Sequence, residues 1–317
     1  MTELKKVRVG VVGVGALGQW HAKNYAALPG AELAGVYDID AGRASEIAMR
    51  YNTRTFASIE ELAEAVDAAS VVVPPSKHFY AAGILLERGA HVLVEKPITE
   101  STREAEDLVG LADRTGRILQ VGHVERFNPV LAYLESILTK PRFIEAHRLA
   151  PYPPPRPGAA PRGTEVSVVL DLMIHDLEII LHLVNSELVH LHAVGVPVLS
   201  ASEDIANARL SFANGCVANV TASRISPEAL RKIRIFQEDA YISLDYRAQS
   251  GEIYRKAGAR IEKQAVPIEK DEPLLRELSS FVECVREREA PRVGGRQAVN
   301  ALKLAVQIVQ KIREGGP

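Results

Sequence analysis

One short stretch of the chain constrains its fold more than any other. An apolar run, Val7–Val12, leads into Gly13-Val14-Gly15-Ala16-Leu17-Gly18, and a second apolar run, Leu33–Tyr37, ends at Asp38. Glycines at this spacing permit a tight turn, close approach of a ligand to the backbone and close packing of a helix on a strand. The pattern predicts a parallel α/β sheet that binds a dinucleotide through its first turn. The residues expected to contact the dinucleotide there are Gly13, Gly15, Ala16, Leu17 and Gly18.

Asp38 bears on which dinucleotide is bound. It lies 20 residues after Gly18, where a carboxylate accepts hydrogen bonds from the adenosine ribose hydroxyls. A 2′-phosphate would be repelled by this charge. Ile39 and Asp40 supply no compensating cation, although Arg43 is close enough in sequence to swing in. We therefore expect NAD rather than NADP.

Length and composition limit the remaining possibilities. A chain of 317 residues exceeds the usual size of a single core, so two domains are expected. The net charge of −2 gives no electrostatic reason to expect nucleic acid or an acidic membrane as a partner, and no apolar run reaches spanning length without a charge. Cys216 and Cys284 lie far apart without a CxxC motif, as is typical of thiols in a reducing compartment. We expect a cytoplasmic protein with small-molecule partners.

Residues 1–124 alternate short apolar runs with helical periodicity, which indicates a doubly wound parallel sheet of Rossmann type. The predicted strands are Val7–Val12, Leu33–Tyr37, Ala69–Val73, His91–Val94 and Ile118–Val121. The predicted helices are Leu17–Ala27, Ala41–Tyr51, Ile59–Ala65, Tyr80–Arg88 and Thr102–Thr115, with Ser58 and Thr99 as caps.

Residues 125–317 have the pattern of an α+β domain. A helix is expected over Pro129–Leu138 and a strand over Phe143–Leu149, and alternating runs recur between Leu188 and Pro267, with Asn214-Gly215 as a hairpin turn. These features predict a large, mostly antiparallel open sheet with helices on one face. Its other face is a candidate surface for a homodimer or homotetramer. Two amphipathic helices, 273–288 and 295–313, follow, and the second is a candidate to pack back on the first domain.

The proline-rich run 151–157 separates these elements. Five of its seven residues are proline, so it cannot hold a strand ladder and is expected to be extended. Its place ahead of the next helix makes it a candidate lid, and a solvated connector is the alternative.

Glu95-Lys96-Pro97 directly follows a predicted parallel strand. Open α/β sheets bind ligands at the carboxyl ends of their strands. There the Lys96 ammonium would hydrogen-bond a substrate hydroxyl and stabilise the alkoxide that forms as hydride leaves. The alternative is a surface lysine paired with Glu95.

Asp171 and His175 lie four residues apart in an apolar helix predicted over Val166–Val184, and so on one face. Unpaired polar groups are costly in such a helix, so Asp171 is expected to hold His175 in one tautomer, in which it accepts a proton from a substrate alcohol. Asp176 points elsewhere and is expected to cap the helix or to pair structurally. Glu178 and His182 continue the same face, which leaves a metal site as an alternative, but it lacks a ligand from a second element, and we expect none.

His78 lies at the end of a third predicted strand, after Pro74. Its side chain is expected either to contact the cofactor or to cap a helix.

Taken together, these motifs resemble those of the Gfo/Idh/MocA oxidoreductases over nearly the whole chain. The landmarks are the glycine-rich turn, Pro74 with His78, residues 89–97, and Asp171 with His175 and Asp176. The resemblance implies a Rossmann domain followed by an open-sheet domain, association as dimers or tetramers, and hydride transfer between a sugar or cyclitol carbon and a nicotinamide. It also implies that Lys96, Asp171 and His175 form a catalytic trio. The residues that it implies as cofactor contacts are Pro74, His78, Glu95, Lys96 and Pro97.

Two segments, 121–129 and 168–176, are similar to the branch of that family that oxidises the C3 hydroxyl of UDP-N-acetylglucosamine. Arg126 and Asn128, together with Arg156 and Arg162 of the proline-rich region, are candidates to bind the diphosphate, with Lys96, Asp171 and His175 at the sugar; solvated side chains are the alternative for Arg156 and Arg162. An inositol or simple-sugar dehydrogenase of the same fold is the nearest alternative. A non-catalytic NAD-binding regulatory protein is the alternative from another class.

Overall fold

The computed structural model describes residues 5–155, 161, 163–258 and 260–315. These residues form two compact units. The first comprises residues up to Phe127 together with Glu272–Val299, and the second comprises Asn128–Asp271 and the residues from Asn300 onward. Each unit is built around its own sheet.

A five-stranded parallel sheet in the order β2-β1-β3-β4-β5 forms the centre of the first unit. Its strands are β1 Val7–Val12, β2 Ala31–Tyr37, β3 Ala68–Val71, β4 His91–Glu95 and β5 Leu119–Gly122. Its helices are α1 Gly18–Ala27, α2 Ala41–Arg50, α3 Ile59–Ala65, α4 His78–Glu87 and α5 Thr102–Thr115. The predicted Rossmann-type sheet is confirmed, with small differences at the element ends.

The helix caps were predicted correctly at one position and wrongly at another. Ser58 accepts a hydrogen bond from the Glu61 N–H at the start of α3, as expected. At α5 the cap is Ser101 rather than Thr99, because Ser101 and Glu104 form a reciprocal capping box. The Thr99 hydroxyl instead donates to the Ser101 carbonyl oxygen.

Helix α8, Pro273–Glu287, belongs to the first unit although it lies far along the chain. Its apolar face, which includes Leu278, Phe281 and Val282, joins the core formed by β1, α1 and β2. Helix α8 therefore packs against the first sheet. The last helix, α9 Gly295–Glu314, contains the point at which the two units divide.

The second unit contains an eight-stranded sheet in the order β13-β12-β11-β10-β6-β9-β8-β7. Its strands are β6 Phe143–Leu149, β7 Leu188–Val196, β8 Ile205–Phe212, β9 Val217–Ser223, β10 Leu230–Phe236, β11 Ala240–Asp245, β12 Ser250–Ala257 and β13 Arg260–Ala265. Neighbouring strands run antiparallel except β6 and β9, which are parallel. The mostly antiparallel sheet and the hairpin at Asn214-Gly215 are confirmed, and Gly215 has the positive φ of 85° that such a turn requires.

The second unit contains α6 Pro129–Ile137, α7 Ile174–Val184 and the part of α9 from Asn300 onward, and α7 packs on β6 and β9. The prediction of one continuous α-helix over Val166–Val184 was wrong, because part of this segment is π-helical. A π-helical turn, Val169–Met173, precedes α7 and includes a hydrogen bond from the Ile174 N–H to the Val169 carbonyl, five residues back. Such turns bulge the backbone outward and occur often at functional sites. Within the described ranges, no helix has both the length and the apolar character needed to cross a bilayer.

Candidate active site

The glycine-rich turn lies at the carboxyl end of β1, where the strand order reverses between β1 and β3. Gly13 has a φ of 86°, and its N–H donates to the Tyr37 carbonyl at 2.8 Å. A side chain at Gly18 would overlap the Gly13 carbonyl oxygen, whereas a Cβ at Gly15 would meet no described heavy atom within 4 Å. Ala16 and Leu17 are exposed. The turn thus leaves an open concavity of backbone in front of α1, and it fits a pyrophosphate.

Asp38 is held beside this turn. Its carboxylate accepts the Val14 N–H at 2.7 Å and the Asp40 N–H at 3.0 Å. The Arg43 guanidinium lies nearby, where its Nε donates to the Val14 carbonyl at 3.0 Å and its Nη1 pairs with Glu46 at 2.6 Å. The Asp38 carboxylate is thus a hydrogen-bond acceptor with a fixed orientation beside the glycine-rich turn. The residues at this edge of the sheet therefore fit the ribose of a dinucleotide as well as its phosphates.

His78 connects two loops at the same edge of the sheet. It is 1% exposed, and its ring nitrogens lie 2.8 Å from the Pro97 carbonyl and 2.9 Å from the Val73 carbonyl. Burial lowers the pKa of His78. The helix-cap interpretation was wrong, because the cap of α4 is Lys77 and His78 is already the first helical residue. The side chain instead ties the loop that follows Pro74 to the loop that contains Lys96 and Pro97.

Lys96 follows the last residue of β4 and is half-buried. Its N–H donates to Glu95 Oε2 at 3.2 Å, and Glu95 Oε1 lies 3.3 Å from His21 Nε2. His123, which directly follows β5, is buried, and burial together with the charge of Lys96 lowers its pKa to about 3. The Glu95 carboxylate and the His123 imidazole thus both lie close enough to Lys96 for its charge to lower their pKa values.

Asp171 and His175 lie in the second unit, on the π-helical turn and the first turn of α7, and both are half-buried. The carboxylate of Asp171 lies against Gly163, where a side chain would overlap it and where φ is 83°. A residue without a side chain is therefore required beside Asp171. The orienting role predicted for Asp171 toward His175 stays a prediction.

The expectation that Asp176 pairs structurally is confirmed. Its two carboxylate oxygens accept from Arg148 Nε at 2.8 Å and Nη2 at 3.1 Å, and both side chains are at most 5% exposed. This bidentate pair fixes the start of α7 to β6, and so fixes the helical turn that bears His175.

A second buried arginine, Arg224, organises the loop that leads into the π-helical turn. Its guanidinium donates to Asp204 at 2.8 Å and to the carbonyls of Gly163 and Val166 at 2.6 and 2.7 Å. Asp204 accepts three backbone N–H groups from residues 198–200, and although its burial opposes ionisation, these bonds and Arg224 lower its pKa. The loop beside Asp171 is therefore held by charge-assisted hydrogen bonds.

Two of the residues expected at the substrate, Arg126 and Asn128, are separated by a single residue in the chain. Arg126 is 3% exposed, in a short 3₁₀ turn over Val124–Phe127. Asn128 caps α6 through the Val130 N–H at 3.1 Å and donates to the Tyr246 carbonyl at 3.1 Å, which gives it a structural role. Arg156 and Arg162 lie outside the described residues, as do the last two positions of the proline-rich run.

The two further residues considered for a metal site, Glu178 and His182, differ in their surroundings. Glu178 is 2% exposed, whereas His182 is on the surface and pairs with Glu135 at 2.8 Å. Across the described residues, no group of three or more His, Cys, Asp or Glu side chains is arranged to hold a metal ion.

Sequence reasoning missed a set of buried polar residues next to Glu95. These residues are His21, Tyr25, Ser70 and Glu277, all at most 1% exposed. A signal was present, since His21 and Tyr25 are four residues apart on α1, as Asp171 and His175 are. Glu277 interrupts the apolar face of α8, which a helical wheel would have displayed.

Comparisons with known proteins agree with this arrangement. The family model "Oxidoreductase family, NAD-binding Rossmann fold" matches residues 7–123, and the model "GFO/IDH/MocA C-terminal domain" matches residues 135–243. The chain is 37% identical to the UDP-N-acetylglucosamine 3-dehydrogenase of Acidithiobacillus ferrooxidans over 309 residues, which cover 95% of this chain and 96% of that protein. It is 29% identical to the scyllo-inositol 2-dehydrogenase (NAD(+)) of Bacillus subtilis, over 98% of this chain and 96% of that protein.

Solved structures give the same result. A structure of UDP-N-acetylglucosamine 3-dehydrogenase from Acidithiobacillus ferrooxidans, 37% identical in sequence, superposes with a TM-score of 0.91 and covers 98% of this chain and 99% of that one. The matches confirm the family resemblance, the fold class and NAD as the cofactor of an oxidoreductase. The chain therefore belongs to the Gfo/Idh/MocA family of NAD-binding oxidoreductases.

Proposed function

We propose that this protein oxidises a secondary alcohol of a nucleotide sugar, at the C3 hydroxyl of a UDP-N-acetylglucosamine-type substrate, with NAD as the hydride acceptor. The observation that carries the proposal is the position of Lys96. It directly follows β4 at the carboxyl edge of a sheet whose first turn is built for a dinucleotide. A cation at that edge is suited to a substrate oxygen that becomes negative during the reaction.

Three side chains share the proton chemistry. His175, on the first turn of α7, accepts the hydroxyl proton as general base. Asp171, one helical turn earlier, orients the imidazole. The Lys96 ammonium hydrogen-bonds the same hydroxyl and stabilises the developing alkoxide. Bound NAD supplies the electrophilic nicotinamide carbon that takes the hydride.

The nucleotide-sugar assignment is supported by sequence identity that spans both units. The relative that acts on UDP-N-acetylglucosamine is 37% identical over 95% of the chain, against 29% for the relative that acts on scyllo-inositol. Arg126 is our candidate for the diphosphate, whereas the amide of Asn128 caps α6 and donates to the Tyr246 carbonyl. A buried guanidinium such as that of Arg126 suits a bidentate phosphate contact.

A substrate panel tests this proposal. We expect NADH formation with UDP-N-acetylglucosamine and little or none with free N-acetylglucosamine, myo-inositol or scyllo-inositol. Turnover of the free cyclitols above that of the UDP-sugar would contradict the proposal in favour of an inositol dehydrogenase. NAD binding without turnover of any of them would favour a regulatory protein.

We also propose that the protein forms a homodimer or homotetramer through the open face of its second sheet. Four aromatic rings, Phe143, Phe236, Tyr241 and Tyr254, form a row across strands β6, β10, β11 and β12, with centroid separations of 5.6, 4.5 and 5.1 Å between successive rings. Val194 and Val196 of β7 are about half exposed. Light scattering on the purified protein tests the proposal; a monomer at micromolar concentration would contradict it.

We further propose that the protein works in the cytoplasm. Cys216 and Cys284 are both buried free thiols, and burial raises the pKa of Cys216 to about 11. Such thiols are typical of a reducing compartment. Fractionation of cells that express the protein tests the location.

A further inference from the structure

Three buried polar side chains of the first unit form a continuous chain of hydrogen bonds that ends at the carboxylate of Glu95. Tyr25 Oη lies 2.8 Å from Ser70 Oγ, Ser70 Oγ lies 3.1 Å from His21 Nδ1, and His21 Nε2 lies 3.3 Å from Glu95 Oε1. His21, Ser70 and Tyr25 are at most 1% exposed. Buried polar groups are costly unless they are paired, so a chain of this length needs an explanation.

The Glu95 carboxylate fixes the direction of the hydrogen bond nearest to it. A carboxylate can only accept, so His21 Nε2 carries a hydrogen and donates to Glu95. His21 Nδ1 and the Tyr25 hydroxyl both bond to Ser70 Oγ. Because a hydroxyl can donate one hydrogen bond and accept two, Ser70 satisfies both neighbours at once.

The chain ends next to Lys96. Glu95 Oε2 accepts the Lys96 N–H at 3.2 Å. On the other side, a Cβ at Gly122 of β5 would approach the Glu95 carboxyl carbon to 3.0 Å, so the absence of a side chain there lets β5 pack closely on Glu95. Burial opposes ionisation of Glu95, but the hydrogen bond and electrostatic interaction with His21, together with the charge of Lys96, outweigh it and hold the pKa of Glu95 below its ordinary value. The carboxylate is thus held on three sides.

We propose that His21 is a positioning residue for Lys96, which acts by holding the Glu95 carboxylate in one orientation. Ser70 and Tyr25 act one step further away, by holding the His21 ring in the orientation that donates to Glu95. A carboxylate fixed in this way constrains the Lys96 backbone directly and keeps a negative charge beside the ammonium. This inference rests on the proposed catalytic function of Lys96.

The chain is not a route for protons to solvent. Its far end, Tyr25, is fully buried, and burial raises the pKa of its hydroxyl. A group that neither ionises readily nor contacts water is suited to orient its neighbours. The inference therefore predicts an effect on the rate of the chemical step rather than on proton exchange.

Two replacements of His21 separate positioning from simple packing. His21→Leu keeps apolar bulk and removes both hydrogen bonds, whereas His21→Gln retains one acceptor and one donor, as a neutral imidazole does. We expect His21→Leu to lower kcat about 10- to 100-fold while the NAD Kd stays within about twofold, since the lost contact acts on the transition state. His21→Gln should restore most of kcat.

Ser101→Ala is the matched control, because it removes the cap of α5 in the same unit without touching the chain. It should lower Tm and leave kcat unchanged. If His21→Leu does not fold, Tyr25→Phe replaces it, with the same direction of effect from loss of one hydroxyl. Unchanged kcat in the His21→Leu variant, or in Tyr25→Phe where that variant stands in for it, would overturn the inference. The inference would also be overturned if Ser101→Ala lost as much kcat per degree of lost Tm as His21→Leu does, because the loss would then follow stability alone.

Lys96→Met separates failure of the positioning role of His21 from failure of the proposed function. If Lys96→Met is inactive and the His21 variants behave as wild type, the positioning inference fails and the proposed function stands. If Lys96→Met turns over normally, the proposed function itself fails.

Discussion

Glu277 of α8 lies fully buried within reach of the charge of Glu95, and neither of its carboxyl oxygens has a hydrogen-bond partner among the described residues. Burial and that negative charge together raise the pKa of Glu277 well above its ordinary value. The two carboxyl groups in this region therefore favour opposite protonation states. Glu95 is stabilised as the anion by His21 and Lys96, and Glu277 is stabilised in its neutral form.

This division predicts a pH-dependent effect of Glu277→Gln. In the unfolded chain Glu277 ionises near its ordinary pKa of 4.5, whereas in the folded protein it stays protonated to higher pH. A raised folded pKa contributes stability that is complete below the unfolded pKa and is lost as pH rises through the folded pKa. We expect Glu277→Gln to gain stability relative to wild type above about pH 4.5, by up to about 1.4 kcal/mol per pH unit. Urea unfolding at about pH 5 and about pH 7 measures it; a difference independent of pH would contradict the assignment.

The buried Arg148–Asp176 pair predicts a large loss of stability for Asp176→Asn. Removing one charge leaves Arg148 buried without its counter-ion, which costs about 3–5 kcal/mol of unfolding free energy. The double variant Arg148→Met with Asp176→Leu should recover most of that loss, because the buried charge is then absent as well. Chemical denaturation of the three proteins measures the effect. A double variant less stable than Asp176→Asn would show that Arg148 and Asp176 also stabilise the protein through contacts with other residues.

Gly15 and Gly18 predict opposite consequences for the same replacement. A methyl group at Gly18 would overlap the Gly13 carbonyl, so Gly18→Ala should lower Tm. A methyl group at Gly15 enters open space, so Gly15→Ala should keep the wild-type Tm and weaken NAD binding by about tenfold or more, since it occupies the position of the pyrophosphate. Calorimetry of folding and of NAD binding separates the two. Native NAD affinity in Gly15→Ala would contradict the placement of the cofactor.

The Asp38 carboxylate predicts the choice of cofactor. Asp38→Asn keeps an oxygen to accept the Val14 N–H and removes the charge that would repel a 2′-phosphate. We expect the ratio of kcat/KM for NADP to that for NAD to rise by about tenfold or more. Asp107→Asn, at an exposed position of α5, is the matched control and should leave the ratio unchanged. An unaltered ratio in Asp38→Asn would mean that another group excludes NADP.

Local rules in the sequence explain which parts of the fold were predictable. The glycine-rich turn, the strand β1 and the hairpin at Asn214-Gly215 depend on backbone requirements within a few residues, and all three were predicted. The cap of α5 was misplaced because Thr99 and Ser101 are both good cap residues, and the reciprocal bond from Glu104 decides between them.

Contacts between distant parts of the chain explain what was not predicted. Glu277 reaches the region of Glu95 because α8 packs on the first sheet. A helical wheel places Glu277 on the apolar face of α8, but no local pattern indicates which group it approaches there. The π-helical turn at Val169–Met173 has no apolar periodicity of its own that distinguishes it from an α-helix. Lys96, Asp171 and His175 were selected from spacing and resemblance, and their joint role stays a prediction.

The central claim is that Lys96 and His175 act on the same substrate hydroxyl, and one set of rates tests it most directly. Single-turnover NADH formation from UDP-N-acetylglucosamine is measured in Lys96→Met, His175→Asn and the double variant, with the NAD Kd of each protein measured in parallel. We expect each single variant to lose about 10²–10⁴-fold in rate with NAD affinity retained, and the double variant to lose far less than the product of the two. Rates in either single variant within about threefold of wild type, or fully multiplicative losses in the double variant, would contradict the account.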